Sequence, residues 1–155
     1  MTAAATTAAL PRWLKPANRV IVFLQRLGIA FFSFHLISVP GRRTGRLRTT
    51  PVSPFSVDGQ RYIVSIGQTE WVRNARAAGW GVLARGRFQQ RVRLTELPVA
   101  EREPIVRQFP VQIPSGVSFL VRVGAVAPPG DPDAFAAAAP RLAVFHVEPS
   151  GDEGR

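Results

Sequence analysis

Cysteine is absent from all 155 residues, which excludes disulfide scaffolds, thiolate metal sites and cysteine nucleophiles together. Histidine occurs only twice, at His35 and His146, without the spacing of a zinc motif. There is a single tyrosine, Tyr62, and a single lysine, Lys15. No G-x-S-x-G nucleophile elbow is present. Carboxylates placed for proton transfer are few: Glu70 reads as a helix-start residue and Glu96 as lying near a strand end. A chain so poor in reactive side chains, if it is an enzyme, is expected to leave the hard step to an organic cofactor that it binds and orients. Nor is there a clean membrane span. Val20 to Val39 approaches the length needed, about 20 residues, but it holds Gln25, Arg26 and His35 and is interrupted at Gly28. Residues 1–9 lack the basic start of a signal peptide, so a cytoplasmic location is expected.

What the chain does have is arginine. Lys and Arg number 20 against 10 Asp and Glu, a formal net charge of +10, and every basic residue but Lys15 is Arg. Guanidinium groups suit either solvated surface or a bidentate anion site, and position must decide between them. Nucleic acid is not the expected partner. The basic residues at 41–51 are not interleaved with aromatics, and no helix-turn-helix or OB-type pattern stands out.

Hydropathy and punctuation place the elements. Residues 1–10 read as a disordered tail and 11–150 as a single domain. Pro16 to Gly28 reads as an amphipathic helix, with Val20, Phe23, Leu24 and Leu27 on one face. With Arg12, Trp13 and Lys15, residues 12–28 could also rest on a membrane surface. Strands are expected at 31–39, 47–57, 61–66, 81–85, 88–97 and 142–147, with Asp58-Gly59 as a hairpin turn. Pro51 and Pro54 confine the second strand to an edge or bulge. Thr69 is the expected N-cap of a short helix closed by Gly79, and 100–109 reads as another helix. In 110–139, Val117 to Val123 is ambiguous between helix and strand, and Asp133 is the expected cap of an Ala-rich helix. Antiparallel strands on hairpins with short helices make a mainly β, α+β barrel of about six strands.

Two stretches carry candidate chemistry. Gly41-Arg42-Arg43-Thr44-Gly45-Arg46-Leu47-Arg48-Thr49-Thr50-Pro51 sets four arginines and three threonines in and just after a glycine-bracketed turn. It suits a phosphate, though it lacks the Gly-Lys-Ser/Thr ending of a Walker loop; a solvated basic hairpin tip is the equal alternative. Gly67-Gln68-Thr69-Glu70-Trp71-Val72-Arg73-Asn74 runs from a strand end into a helix N-terminus, where open N–H groups favour an anion or an electron-rich ring edge. The plainer reading puts Trp71 in the core and uses Asn74 only to tie the helix to a neighbouring strand.

Taken in order and spacing, these residues resemble the deazaflavin (coenzyme F420)-dependent nitroreductase family of actinobacteria, which includes quinone reductases. The resemblance covers about 34–97. It is carried by Gly-Arg-x-Thr-Gly-x-x-Arg at 41–48 with Thr50-Pro51, Asp58-Gly59, Gly67, Trp71-x-x-Asn74 and Gly79, with Arg141 to Pro149 similar to the closing strand. It implies the split β-barrel of pyridoxamine-phosphate-oxidase-like flavin proteins. It also implies a cofactor, F420, with FMN or haem as alternatives, and hydride transfer to a small electrophilic substrate such as a quinone or enone. Arg42, Arg43, Thr44 and Arg48, with Thr50 and Pro51 following, would hold the phosphate of the cofactor tail. Ile66, Gly67, Gln68, Thr69 and Trp71 would lie along the ring, and Asn74 would be mainly structural. Nitroimidazole-activating members use tyrosines near the substrate; with only Tyr62 available here, Phe109, Phe119 or Ser118 is expected in that space. A non-catalytic binder of haem, flavin, biliverdin or lipid is the competing function, and the chain is expected to be a monomer or homodimer.

Overall fold

The computed structural model describes residues 35–85 and 88–150. The expected tail at 1–10, the helix at 16–28 and its membrane contact lie outside the described residues. The elements are β1 (His35–Pro40), β2 (Leu47–Val52), β3 (Phe55–Val57), β4 (Gln60–Ile66), α1 (Glu70–Ala78), β5 (Trp80–Arg85), β6 (Phe88–Glu96), α2 (Val99–Gln112), α3 (Pro114–Arg122), α4 (Pro132–Ala138), a 3-10 turn (Ala139–Arg141) and β7 (Leu142–Pro149). The strands form one antiparallel sheet in the order β2-β1-β5-β6-β7-β4-β3. It curls until β2 comes alongside β4.

Seven described strands stand where about six were expected, because the stretch read as one strand at 47–57 divides into β2 and β3. Pro54, which has no N–H to donate, falls between them. Pro51 lies in β2, which is an edge strand, as a proline in a sheet requires. Asp58 (φ 52°) and Gly59 (φ 79°) make the two-residue turn between β3 and β4 in the left-handed conformation that this hairpin needs. Gly79 (φ 75°) ends α1 and returns its N–H to the Ala75 carbonyl.

Period-two alternation on β4 and β7 builds two cores on one sheet. Ile63 and its register partner Phe145 face the hollow of the curled sheet with Ile37, Leu83, Val92 and Leu94, and α1 closes that hollow with Trp71, Val72 and Ala75. Val64 and its partner Val144 face the other way, onto Val106, Phe109, Leu120 and Phe135 of α2–α4. Buried on both sides, β7 needs the continuous apolar run Leu142 to Phe145.

The helical part departs from expectation in two places and resolves a third that was open. α2 extends to Gln112 although Pro104 and Pro110 lie inside it. Pro110 forfeits only its own N–H bond, and the Ile113 N–H continues the ladder to the Phe109 carbonyl at 2.8 Å. Val117 to Val123 resolves as helix through Arg122. α4 is capped not by Asp133 but by Asp131, whose Oδ1 accepts from the Ala134 N–H at 2.9 Å; Pro132, preset for the first helical position, fixes the start there. Among the described residues no helix is long and apolar enough to cross a membrane, and no cluster of side chains could hold a metal ion.

Candidate functional site

Where β2 and β4 approach, a cavity of about 440 Å³ opens between the sheet, the start of α1 and the α2–α3 corner. That is within the range of small-molecule sites, roughly 300–1,000 Å³. One wall is β2 and β4, with Thr50, Pro51, Val52, Val64, Ser65 and Ile66, and Ser53 just after β2. Thr69, Glu70 and Trp71 bring in α1. Facing them are Phe109 and, from α3, Ser115, Gly116, Phe119 and Leu120. The α3 set follows i, i+1, i+4, i+5 spacing, one helix face.

Trp71 is buried, belongs to the core and lines the cavity at once. Its indole N–H donates to the Ser65 Oγ at 2.8 Å, which orients that hydroxyl and leaves its proton available to a ligand. Thr69 sits at the N-cap position of α1 but does not cap it with its side chain; its hydroxyl donates instead to the Ile66 carbonyl at 3.2 Å. The first N–H groups of α1 therefore keep their donor capacity beside the cavity.

The arginine-rich turn abuts this mouth through α1. Asn74, 3% exposed, accepts from the Arg42 backbone N–H at 3.0 Å and from its guanidinium at 2.9 Å. The same guanidinium spans both oxygens of Glu70, at 3.3 and 3.4 Å. Glu70 is exposed, yet the hydrogen bond and charge of Arg42, with smaller contributions from Arg73 and Arg43, hold its carboxyl below the ordinary range. It stays an anion and is no proton donor near neutrality. Glu96 is likewise held low, by its bond to Arg76 at 2.6 Å and by Arg102. Its network ties α1, β6 and α2, with Arg102 also donating to the Leu97 and Leu142 carbonyls.

The turn spends much of its backbone on itself. The Gly41 N–H donates to the Arg46 carbonyl, the Gly45 N–H to that of Gly41, and the Arg46 N–H to the Thr44 hydroxyl. The turn leaves donors open on its side chains. Arg43, Arg46 and Arg48 are exposed and make no ion pair among the described residues, whereas Arg42 is committed.

Of the residues singled out from sequence, Thr50, Pro51, Ile66, Thr69 and Trp71 meet at the cavity. Gly67 and Gln68 lie on the loop between; the Gly67 N–H is taken by the Arg141 carbonyl at 3.1 Å. Arg42, Arg43, Thr44 and Arg48 are outside the lining, and Asn74 is buried under the turn. Asn74 ties α1 to this turn rather than to a strand. Phe109 and Phe119 line the cavity, and Ser118 gives way to Ser115. Val64 and Ser65 were the lining residues most open to discovery, since they continue the strand that leads into Gly67.

No family model matches this sequence, and no curated protein matches it. Solved structures do. An FMN-binding protein related to pyridoxamine 5'-phosphate oxidase, from Nostoc punctiforme, aligns at TM-score 0.56 and 10% identity, over 91% of this chain and 82% of that one. A domain-swapped dimer aligns at TM-score 0.52 and 17% identity, over 86% and 99%. An F420-H2-dependent reductase aligns at TM-score 0.50 and 16% identity, over 77% and 97%. At such identities the likeness establishes the fold: the chain is a split barrel.

Proposed function

We propose that this protein is an oxidoreductase that uses reduced deazaflavin F420 to reduce a quinone, an enone or a similar activated double bond. The observation that carries the reading is one juxtaposition. A largely apolar cavity has the uncapped start of α1 on its wall, and the same helix is bonded to a turn bearing uncommitted arginines. A flat ring with a phosphate-bearing tail needs those two surfaces side by side. That solved split barrels include an F420-H2-dependent reductase and an FMN-binding protein supports a flavin-like ring, and the domain-swapped dimer supports a homodimer.

The residues fit such a group. Trp71, Ile66 and Val64 offer apolar wall, and the N–H groups at the start of α1 offer donors to a polar ring edge. Arg43, Arg48 and Thr44 would take the phosphate, with Thr50 and Pro51 shaping the passage from turn to cavity. Arg42 would position the turn through Asn74 and Glu70. When bound, the reduced deazaflavin supplies the hydride. The chain holds the acceptor against it, excludes water with Phe109 and Phe119, and presents the Ser65 Oγ–H to an acceptor oxygen. Titrating the purified protein into F420, with FMN and haem in parallel, tests the reading. Saturable F420 binding weakened by Arg43→Ala supports it; uptake of haem or FMN alone favours the binding-protein alternative.

A further inference from the structure

Phe109 is enclosed on nearly every side. It packs edge-on against Phe55, with ring centroids 5.8 Å apart and planes at 81°, and stacks on Phe135 at 5.3 Å and 27°. The tip of its ring rests on Gly116. A Cβ at that position would lie 2.9 Å from the Phe109 Cζ, 3.2 Å from its Cε1 and 3.4 Å from the Ile113 Cγ2. Phe109 and Gly116 both line the cavity. Gly116 has no left-handed φ to explain it; what the position demands is the close approach. With Phe55, Phe135 and α3 occupying the other sides, the space left to the ring is the cavity itself.

We infer that the Phe109–Gly116 contact is the specificity determinant of this site. Gly116 lets the phenyl ring seat back against α3, and the seated ring sets the longest fused-ring acceptor that the cavity admits. The inference deepens the reductase reading and rests on it for the class of ligand, a neutral planar quinone. The contact itself is a property of the cavity alone.

The test is calorimetric binding of a one-ring, a two-ring and a three-ring quinone to the full chain without cofactor. Wild-type protein is compared with Gly116→Ala and Phe109→Leu, and circular dichroism checks that each variant is folded. Gly116→Ala is expected to weaken the longest quinone that binds wild type by about tenfold more than the one-ring compound, the scale of one overpacked methyl group. Phe109→Leu is expected to shift the preference toward the longer rings. Because Leu at 109 needs less room than Phe, the double variant is expected to recover the long-ring binding lost in Gly116→Ala. Equal weakening of every quinone by Gly116→Ala, no change of selectivity in either variant, or no quinone binding by wild type would overturn the inference. Failure of F420 to bind in its own titration, with the ring-size selectivity still shifting as stated, would remove the reductase reading and leave the specificity contact standing.

Discussion

At the scale of single residues, the site rests on polar groups that hold one another rather than on reactive ones. Asn74 is the clearest case. Its buried amide oxygen receives two donors from Arg42, so Asn74→Ala is expected to cost about 1–3 kcal/mol. Asn74→Asp, which keeps the acceptor, should recover most of it; urea denaturation of the three proteins would check this. Glu96 gives a pH prediction. Its folded-state pKa is depressed below 4.5 by Arg76 and Arg102. Its stabilisation is therefore fully present above the unfolded value and is lost as pH falls through the folded one. Glu96→Gln should cost about 2 kcal/mol at pH 7, and the gap from wild type should narrow below pH 4.5, a trend that thermal melts across pH 3–7 would read directly. Glu70, at the cavity mouth, shares the direction of shift but is exposed; its two bonds hold Arg42.

At the scale of elements, the close approach at Gly67 positions the loop that leads into α1. A Cβ there would lie 2.8 Å from the Arg141 carbonyl oxygen, and a backbone atom cannot turn aside as a side chain can. Gly67→Ala is thus expected to destabilise by about 1–3 kcal/mol and to weaken ring binding together with it, as melting and ligand titration on one sample would show. The turns at Asp58-Gly59 and Gly79 were legible in the sequence because each depends on local backbone chemistry, whereas the close approach at Gly67 comes from Arg141, far along the chain. The strand faces were legible too: along 88–97 Val92 and Leu94 alternate with Arg91, Arg93 and Thr95, and both are buried. The α2–α3 corner was not. Its prolines fall within a helix held in place by tertiary packing of Val106 and Phe109, so local signals pointed to an earlier end. The bonds of Arg42 were not legible for a related reason: nothing in its neighbours announces Asn74 and Glu70, which arrive from about 30 positions away.

At the scale of the whole molecule, the architecture explains how a site can sit at the meeting of sequence-distant parts. The curled sheet carries one core within and another beneath α2–α4, and the cavity lies where β2, β4, α1 and the α2–α3 corner converge. Part of the excess of positive charge stands at the turn beside that cavity, where Arg43, Arg46 and Arg48 are exposed and have no carboxylate within ion-pair distance among the described residues. An anionic tail should accordingly bind with a Kd that rises with salt. If cavity and turn together hold a deazaflavin, as proposed, a fluorescence titration of F420 with wild type and Arg43→Ala at two ionic strengths will show it. Saturable binding is expected, weakened about tenfold by the substitution, the loss of one charge-assisted phosphate contact, and weakened further by salt. No saturable binding by wild type, or binding indifferent to both Arg43 and salt, would contradict it.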